Sequence, residues 1–202
     1  MRLTLLPRRV IGALVAFSAA ASQAAGQWTA GIDVGADRYW GGSVETGGDH
    51  RSFRPYRPTV FGIGIERKGN LVAWGLRVRY TEAALGLEGR GAVAAVEGVF
   101  TVVSLSPEVV CRLATLGPGS ELRLHAGPLF EIWGIIDEDT KARVGAQSAV
   151  SLNIPLGGRF AGSVLVGLAV TPSPFEANQL GEAFERRVLW RRGFAAGLQY
   201  RL

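Results

Sequence analysis

Val72-Ala73-Trp74-Gly75-Leu76-Arg77-Val78-Arg79-Tyr80-Thr81 is the stretch on which the fold turns. Val72, Trp74, Leu76, Val78 and Tyr80 share one parity; Ala73, Gly75, Arg77, Arg79 and Thr81 share the other. Side chains alternate across a β-strand, so this segment predicts a strand with one bulky apolar face and one small, basic face.

The same period of two extends outward from it. Upstream, Trp28, Ala30, Ile32, Val34 and Ala36 oppose Thr29, Gly31, Asp33 and Gly35, and Thr59, Phe61, Ile63 and Ile65 oppose Val60, Gly62, Gly64 and Glu66. Downstream, Val103, Leu105, Val109 and Cys111 oppose Ser104, Ser106, Glu108 and Arg112. Leu122, Leu124, Ala126, Phe130 and Ile132 oppose Glu121, Arg123, His125, Gly127 and Glu131. Three further segments, around Val144–Ile154, Phe160–Val170 and Phe194–Leu202, alternate in the same way. Eight strands are predicted, most of them about nine residues or longer, which is what a tilted strand needs to cross a bilayer. The expected connections alternate in length. Lys68–Asn70, Thr115–Ser120 and Pro155–Gly158 are tight, whereas Asp37–Pro58, Glu82–Glu97, Ile136–Lys141 and Pro172–Arg187 are longer. Short turns on one rim and long loops on the other describe an eight-stranded antiparallel up-and-down transmembrane β-barrel.

Residues 1–24 read as a cleavable signal peptide: basic Arg2, Arg8 and Arg9, an apolar run from Val10, and small residues at Ser22 and Ala24. The barrel domain is then 25–202, exported to a bacterial outer membrane with both termini periplasmic. Of 202 residues 48% are hydrophobic and 19% charged, which argues against disorder. A single Cys excludes a disulfide scaffold and a Cys-rich zinc module. The net charge of +5 is partly the leader's, too little to argue for nucleic acid. A lipocalin-like carrier is also an exported barrel of this size, with its apolar face inside. The Gly, Ala and Ser of the polar face suit a narrow interior instead, and only 2 Lys occur in the chain.

The enclosed face carries Asp33, Glu66, Glu108, Glu121 and Glu131 with Arg77, Arg79, Arg112, Arg123, Arg143, Arg159, Arg191 and Arg201. Charges away from water need partners, so a salt-bridged plug is expected, centred on Glu66, Arg77, Arg79, Glu108, Arg112, Glu121, Arg123, His125, Glu131 and Arg143. His125 shares its face with Glu131, but no nucleophile is placed by spacing, since Gly127 stands where a barrel lipid hydrolase has its Ser. The chain is therefore read as non-enzymatic, with a lipid-modifying hydrolase as the alternative. Asp49-His50 is too little for a metal site, and no cofactor is expected. Cys111 falls on the lipid-facing set. Trp28, Trp74, Tyr80, Trp190 and Tyr200 suit interfacial girdles. Arg192 breaks the outward apolar pattern: near the long-loop rim it could snorkel or meet lipid phosphates, with a bulge as the alternative. In the first loop Trp40, Arg51, Arg54 and Arg57 form a possible contact surface. Pro107 and Pro128 are expected at bulges or bends.

Ser104-Leu105-Ser106-Pro107-Glu108-Val109-Val110, a Gly/Pro turn, and then His125-Ala126-Gly127-Pro128-Leu129-Phe130 resemble the fourth and fifth strands of the small outer-membrane β-barrel family, the OmpX/OmpA-barrel-like group. Phe194–Leu202 is similar to that family's C-terminal assembly signal, with Leu in place of the usual final Phe. The resemblance implies a monomer surrounded by outer-membrane lipids, including lipopolysaccharide, and inserted by the outer-membrane barrel assembly machinery. Its role would be in membrane integrity or surface interaction.

Overall fold

The computed structural model describes residues 28–45, 52–69, 72–89, 92–135, 140–174 and 184–202. The expected leader lies outside them. All eight expected strands are present: β1 (Trp28–Glu45), β2 (Ser52–Arg67), β3 (Val72–Gly89), β4 (Ala92–Leu116), β5 (Ser120–Ile135), β6 (Lys141–Gly157), β7 (Phe160–Pro172) and β8 (Phe184–Arg201). Each pairs antiparallel with its neighbour in sequence, and β1 pairs with β8 to close the barrel. Closure leaves no edge, which hydrocarbon requires because it offers unpaired backbone groups nothing to bond to.

Burial is inverted relative to a water-soluble protein. Trp74 is 66% exposed and Ile32 64%, whereas Glu131 is 2% exposed and Glu108 5%. The bulky set of each strand points out, and the small and charged set points in. That orientation removes the lipocalin-like reading. Glycines make room for the enclosed acids. Asp33 stands opposite Gly62 on one side and Gly197 on the other, and a Cβ at Gly62 would run into the Asp33 carboxylate.

The expected loop boundaries need correction. Asp37–Pro58 and Glu82–Glu97 are mostly strand: β1 runs on to Glu45, β2 starts at Ser52, β3 ends at Gly89 and β4 starts at Ala92. The register shifts between Ala36 and Ser43, between Tyr56 and Thr59, and between Ala83 and Leu85. A bulge puts consecutive residues on altered faces, so the period of two breaks there while the hydrogen-bonded ladder continues. Gly41, at φ 79°, supplies the left-handed residue at one of these sites.

Pro107 and Pro128 sit at neither a bulge nor a strand end. The β4–β5 ladder stops after Leu105↔Phe130 and resumes at Val109↔Ala126 with no register shift across the gap. Both prolines fall in that gap. Ser106 Oγ donates to the Pro128 carbonyl at 2.9 Å, replacing a ladder bond that proline cannot provide.

Candidate functional site

Parity, barrel closure and register together bring the enclosed charges into three layers along the lumen. Nearest the short turns, Arg123 Nη1 donates to both oxygens of Glu66, at 2.8 and 3.1 Å, and Arg123 Nε donates to Glu121 at 2.9 Å. Arg112 Nη1 lies 3.6 Å from Glu121, but the Arg112 side chain is 37% exposed: it belongs to the rim rather than to the interior. Arg159 and Arg201, also expected inside, are exposed at this same end, Arg159 in the turn between β6 and β7 and Arg201 at the end of β8. The last residue of a strand has no wall on one side, so parity alone does not bury it.

The middle layer is built on Glu108. Arg77 Nε donates to Glu108 Oε1 at 3.1 Å and Arg77 Nη1 to Asp33 at 2.7 Å. Gln147 Nε2 donates to the same Glu108 oxygen at 2.7 Å. The other oxygen lies 3.0 Å from His125 Nδ1, and His125 Nε2 lies 2.8 Å from Ser151 Oγ. With Glu108 ionised and accepting only, Nδ1 carries a proton toward it; in the neutral imidazole Nε2 then accepts from the Ser151 hydroxyl. The result is a Glu–His–Ser chain, which spacing along the sequence did not foresee. Ser151 stands directly opposite Arg123 in the β5–β6 register, and so lies diagonal to His125. Pairing β6 back on β5 through that register was the available signal. Ser151 is 2% exposed, held inside the wall.

Under the opposite rim, Arg191 Nη1 lies 2.9 Å from Glu131 and Arg191 Nε 3.6 Å from Asp37, while Arg79 Nη2 lies 3.5 Å from the other Asp37 oxygen. Asp37 accepts no hydrogen bond among the described residues, and charge alone holds it. Trp133 Nε1 donates to Glu131 at 3.1 Å. Trp133 then packs edge-on against Tyr39 and Phe100, and with Val102 and Leu189 forms an apolar lid. Asp37, Tyr39 and Trp133 are members of this interior that the sequence does not assign, whereas Gln147 and Ser151 lie on the expected inward parity but outside the expected charge network. Arg143 donates to the backbone carbonyls of Ser173, Pro174 and Ala142.

The lumen holds small, partly open spaces of about 40 and about 20 Å³, and Arg77 and Glu108 line both. Their ion pair is a partition between two compartments with room only for water. Among the described residues no group of three His, Cys, Asp or Glu is placed to hold a metal. Asp49-His50 lies outside them.

On the outer face, Trp40 is not a loop residue. It stacks on Trp190 with ring centroids 6.2 Å apart, on adjacent strands β1 and β8. Phe160 and Tyr200 meet near the other end at 5.0 Å. Arg51 lies outside the described residues, as do the side chains of Arg54 and Arg57 in β2.

No protein-family model matches the chain, and no curated protein does. Solved structures do. Neisserial surface protein A aligns over 87% of this chain and 97% of its own, with a TM-score of 0.58 at 8% identity. The outer membrane protein OprG from Pseudomonas aeruginosa aligns over 87% and 95%, with a TM-score of 0.50 at 11% identity. The chain has the fold of the small outer-membrane barrels.

Proposed function

We propose that this protein is a monomeric, non-enzymatic barrel of a bacterial outer membrane, with a filled lumen and a role in membrane integrity or in contacts made at its long-loop rim. The observation that carries the proposal is the inverted burial. A wall studded with exposed Trp74, Ile32 and Phe61 around enclosed Glu108, Glu131 and Arg191 is stable only where hydrocarbon surrounds it. The periplasmic termini, the lipopolysaccharide neighbours and insertion by the barrel assembly machinery belong to the same proposal. The long-loop rim supplies the contact surface, with Trp40 on the wall.

The test joins fractionation to conductance. The protein should sediment with outer membranes and migrate faster on a gel before boiling than after. In a planar bilayer it should give no stable porin-like steps, because the Arg77–Glu108 partition and the Trp133 lid fill the bore. Large, reproducible open-channel steps overturn the plug, and recovery as a soluble periplasmic protein overturns the membrane placement.

One observation favours a second reading. Glu108, His125 and Ser151 have the order and contacts of a hydrolase relay. Ser151 is enclosed, and the spaces nearby hold no acyl chain. A serine-reactive fluorophosphonate should therefore leave Ser151 unlabelled in the folded barrel, and expression should leave the mass of cellular lipid A unchanged. Labelling lost in Ser151→Ala, together with a lipid A mass shift, would establish the hydrolase.

A further inference from the structure

The outward face is apolar almost throughout, and its exceptions are informative. Arg38 on β1 and Arg192 on β8 are direct cross-strand partners, both exposed and both on the lipid-facing parity. Two residues further along β1 and two residues back along β8 stand Trp40 and Trp190, also direct partners and stacked. Among the described residues no carboxylate lies within ion-pair distance of Arg38 or Arg192, whereas Arg77, Arg79, Arg123 and Arg191 inside the lumen all have one.

The depth of this group follows from strand geometry. Trp28 opens β1 at the short-turn end, and Trp40 lies twelve residues along it on the same outward face, five short of the strand's end at Glu45. Twelve strand residues at about 3.3 Å each, tilted by about 40°, rise about 30 Å, the thickness of the hydrocarbon layer. The tryptophan pair then lies at one interface, and the arginines lie roughly 5 Å below it, at the acyl–headgroup boundary. Two guanidinium groups side by side repel each other and lose hydration there. A phosphate between them would accept hydrogen bonds from both forks and neutralise both charges. The stacked indoles would cover it from the rim, and Ala36, Phe194 and Leu168 offer an apolar wall to its acyl chains.

We propose that Arg38 and Arg192, with Trp40 and Trp190, form a lateral site on the barrel wall for the phosphate of a phosphorylated acyl glycolipid in the outer leaflet. This rests on the membrane-barrel reading above. A free anion would gain nothing from the apolar wall, so the lipid is the ligand.

The experiment uses the full barrel folded in uncharged detergent and titrated with diphosphoryl lipid A, and retained lipid is measured by mass spectrometry. Native protein should retain it. R38Q/R192Q should bind roughly 30-fold more weakly, the order that two interfacial arginines supply, while keeping the heat-shifted gel band. R67Q/R201Q, at the opposite rim, should bind as the native protein does. Lipid A stripped of its phosphates should bind native protein as weakly as the double variant binds the intact lipid, and millimolar inorganic phosphate should not displace the lipid. Equal binding by native protein and R38Q/R192Q, with both folded, overturns the site and leaves the barrel reading intact. So does an equal loss in R67Q/R201Q, which would mark diffuse charge attraction, or displacement by inorganic phosphate, which would mark a plain anion site. Native protein that gives no heat-shifted band overturns the barrel reading, and this site falls with it.

Discussion

Arg191 and Arg192 are consecutive residues of one type in opposite surroundings. Arg191 is 4% exposed inside the lumen, between Glu131 and Asp37 with its guanidinium over the Tyr39 ring. Arg192 is exposed on the outer wall beside Arg38, with no carboxylate in reach among the described residues. One peptide bond separates a charge held by the protein from a charge left for the surroundings to satisfy. In a barrel wall only one residue thick, parity decides which kind of partner a side chain must find: on the inner side a side chain of this chain, on the outer side whatever the bilayer supplies.

The largest effect expected from breaking this contrast is on the inside. Arg191→Leu leaves Glu131 buried without its cation, and leaves Asp37 with Arg79 alone. Removing one partner of a buried pair costs about 3–5 kcal/mol. Urea unfolding in detergent, followed by loss of the heat-shifted band, should register that loss. A cost below about 1 kcal/mol, the range of exposed pairs, would mean that water reaches this layer freely.

The next effect asks whether depth is what lets the outer wall tolerate arginine. Val34 points outward midway between Trp28 and Trp40, on the same face of β1 as Arg38. Val34→Arg should destabilise the barrel in lipid vesicles by about 2–4 kcal/mol, because an arginine at the midplane has no interface within reach, whereas at the level of position 38 the cost falls to about 0–1 kcal/mol. If Val34→Arg is as stable as the native protein in vesicles, the belt is not where the two tryptophans place it.

The same positions separate what one strand's sequence encodes from what only the assembled barrel decides. The two faces are legible in the sequence, because alternation is local: Trp74 against Arg77, or Leu124 against His125, needs no knowledge of neighbouring strands. Arg192 is legible for the same reason, as an exception to its own strand. Arg38 is not: the alternation continues unbroken through Trp40, but a charge on the outward parity and an aromatic on the inward one disguise it, so residues 37–58 look like a loop; Asp37 and Tyr39 are lost from the interior in the same way. Which inward residues meet is a different problem. The contact of Ser151 with His125 depends on the β5–β6 register, which single-strand parity does not contain. Trp133 lies on the inward parity of β5, but an inward tryptophan conflicts with a small-residue lumen. It becomes intelligible only once Tyr39, Phe100 and Leu189 close that end.

The smallest effect is the sharpest test of the comparison. Arg192→Gln removes a charge from the wall without unpairing any group of the protein, since Arg192 has no ion-pair partner among the described residues and its outward neighbours on the adjacent strands are Leu168 and Arg38. In uncharged detergent its stability should change by less than about 0.5 kcal/mol, as for surface substitutions away from special features. It could even rise slightly, because the repulsion with Arg38 is relieved. This near-silence sets Arg192 apart from its neighbour: the same deletion one residue earlier strands a buried carboxylate, and here it strands nothing. A loss of more than about 1 kcal/mol in detergent would mean that Arg192 is held by the protein after all. The two arginines would then differ in partner rather than in kind.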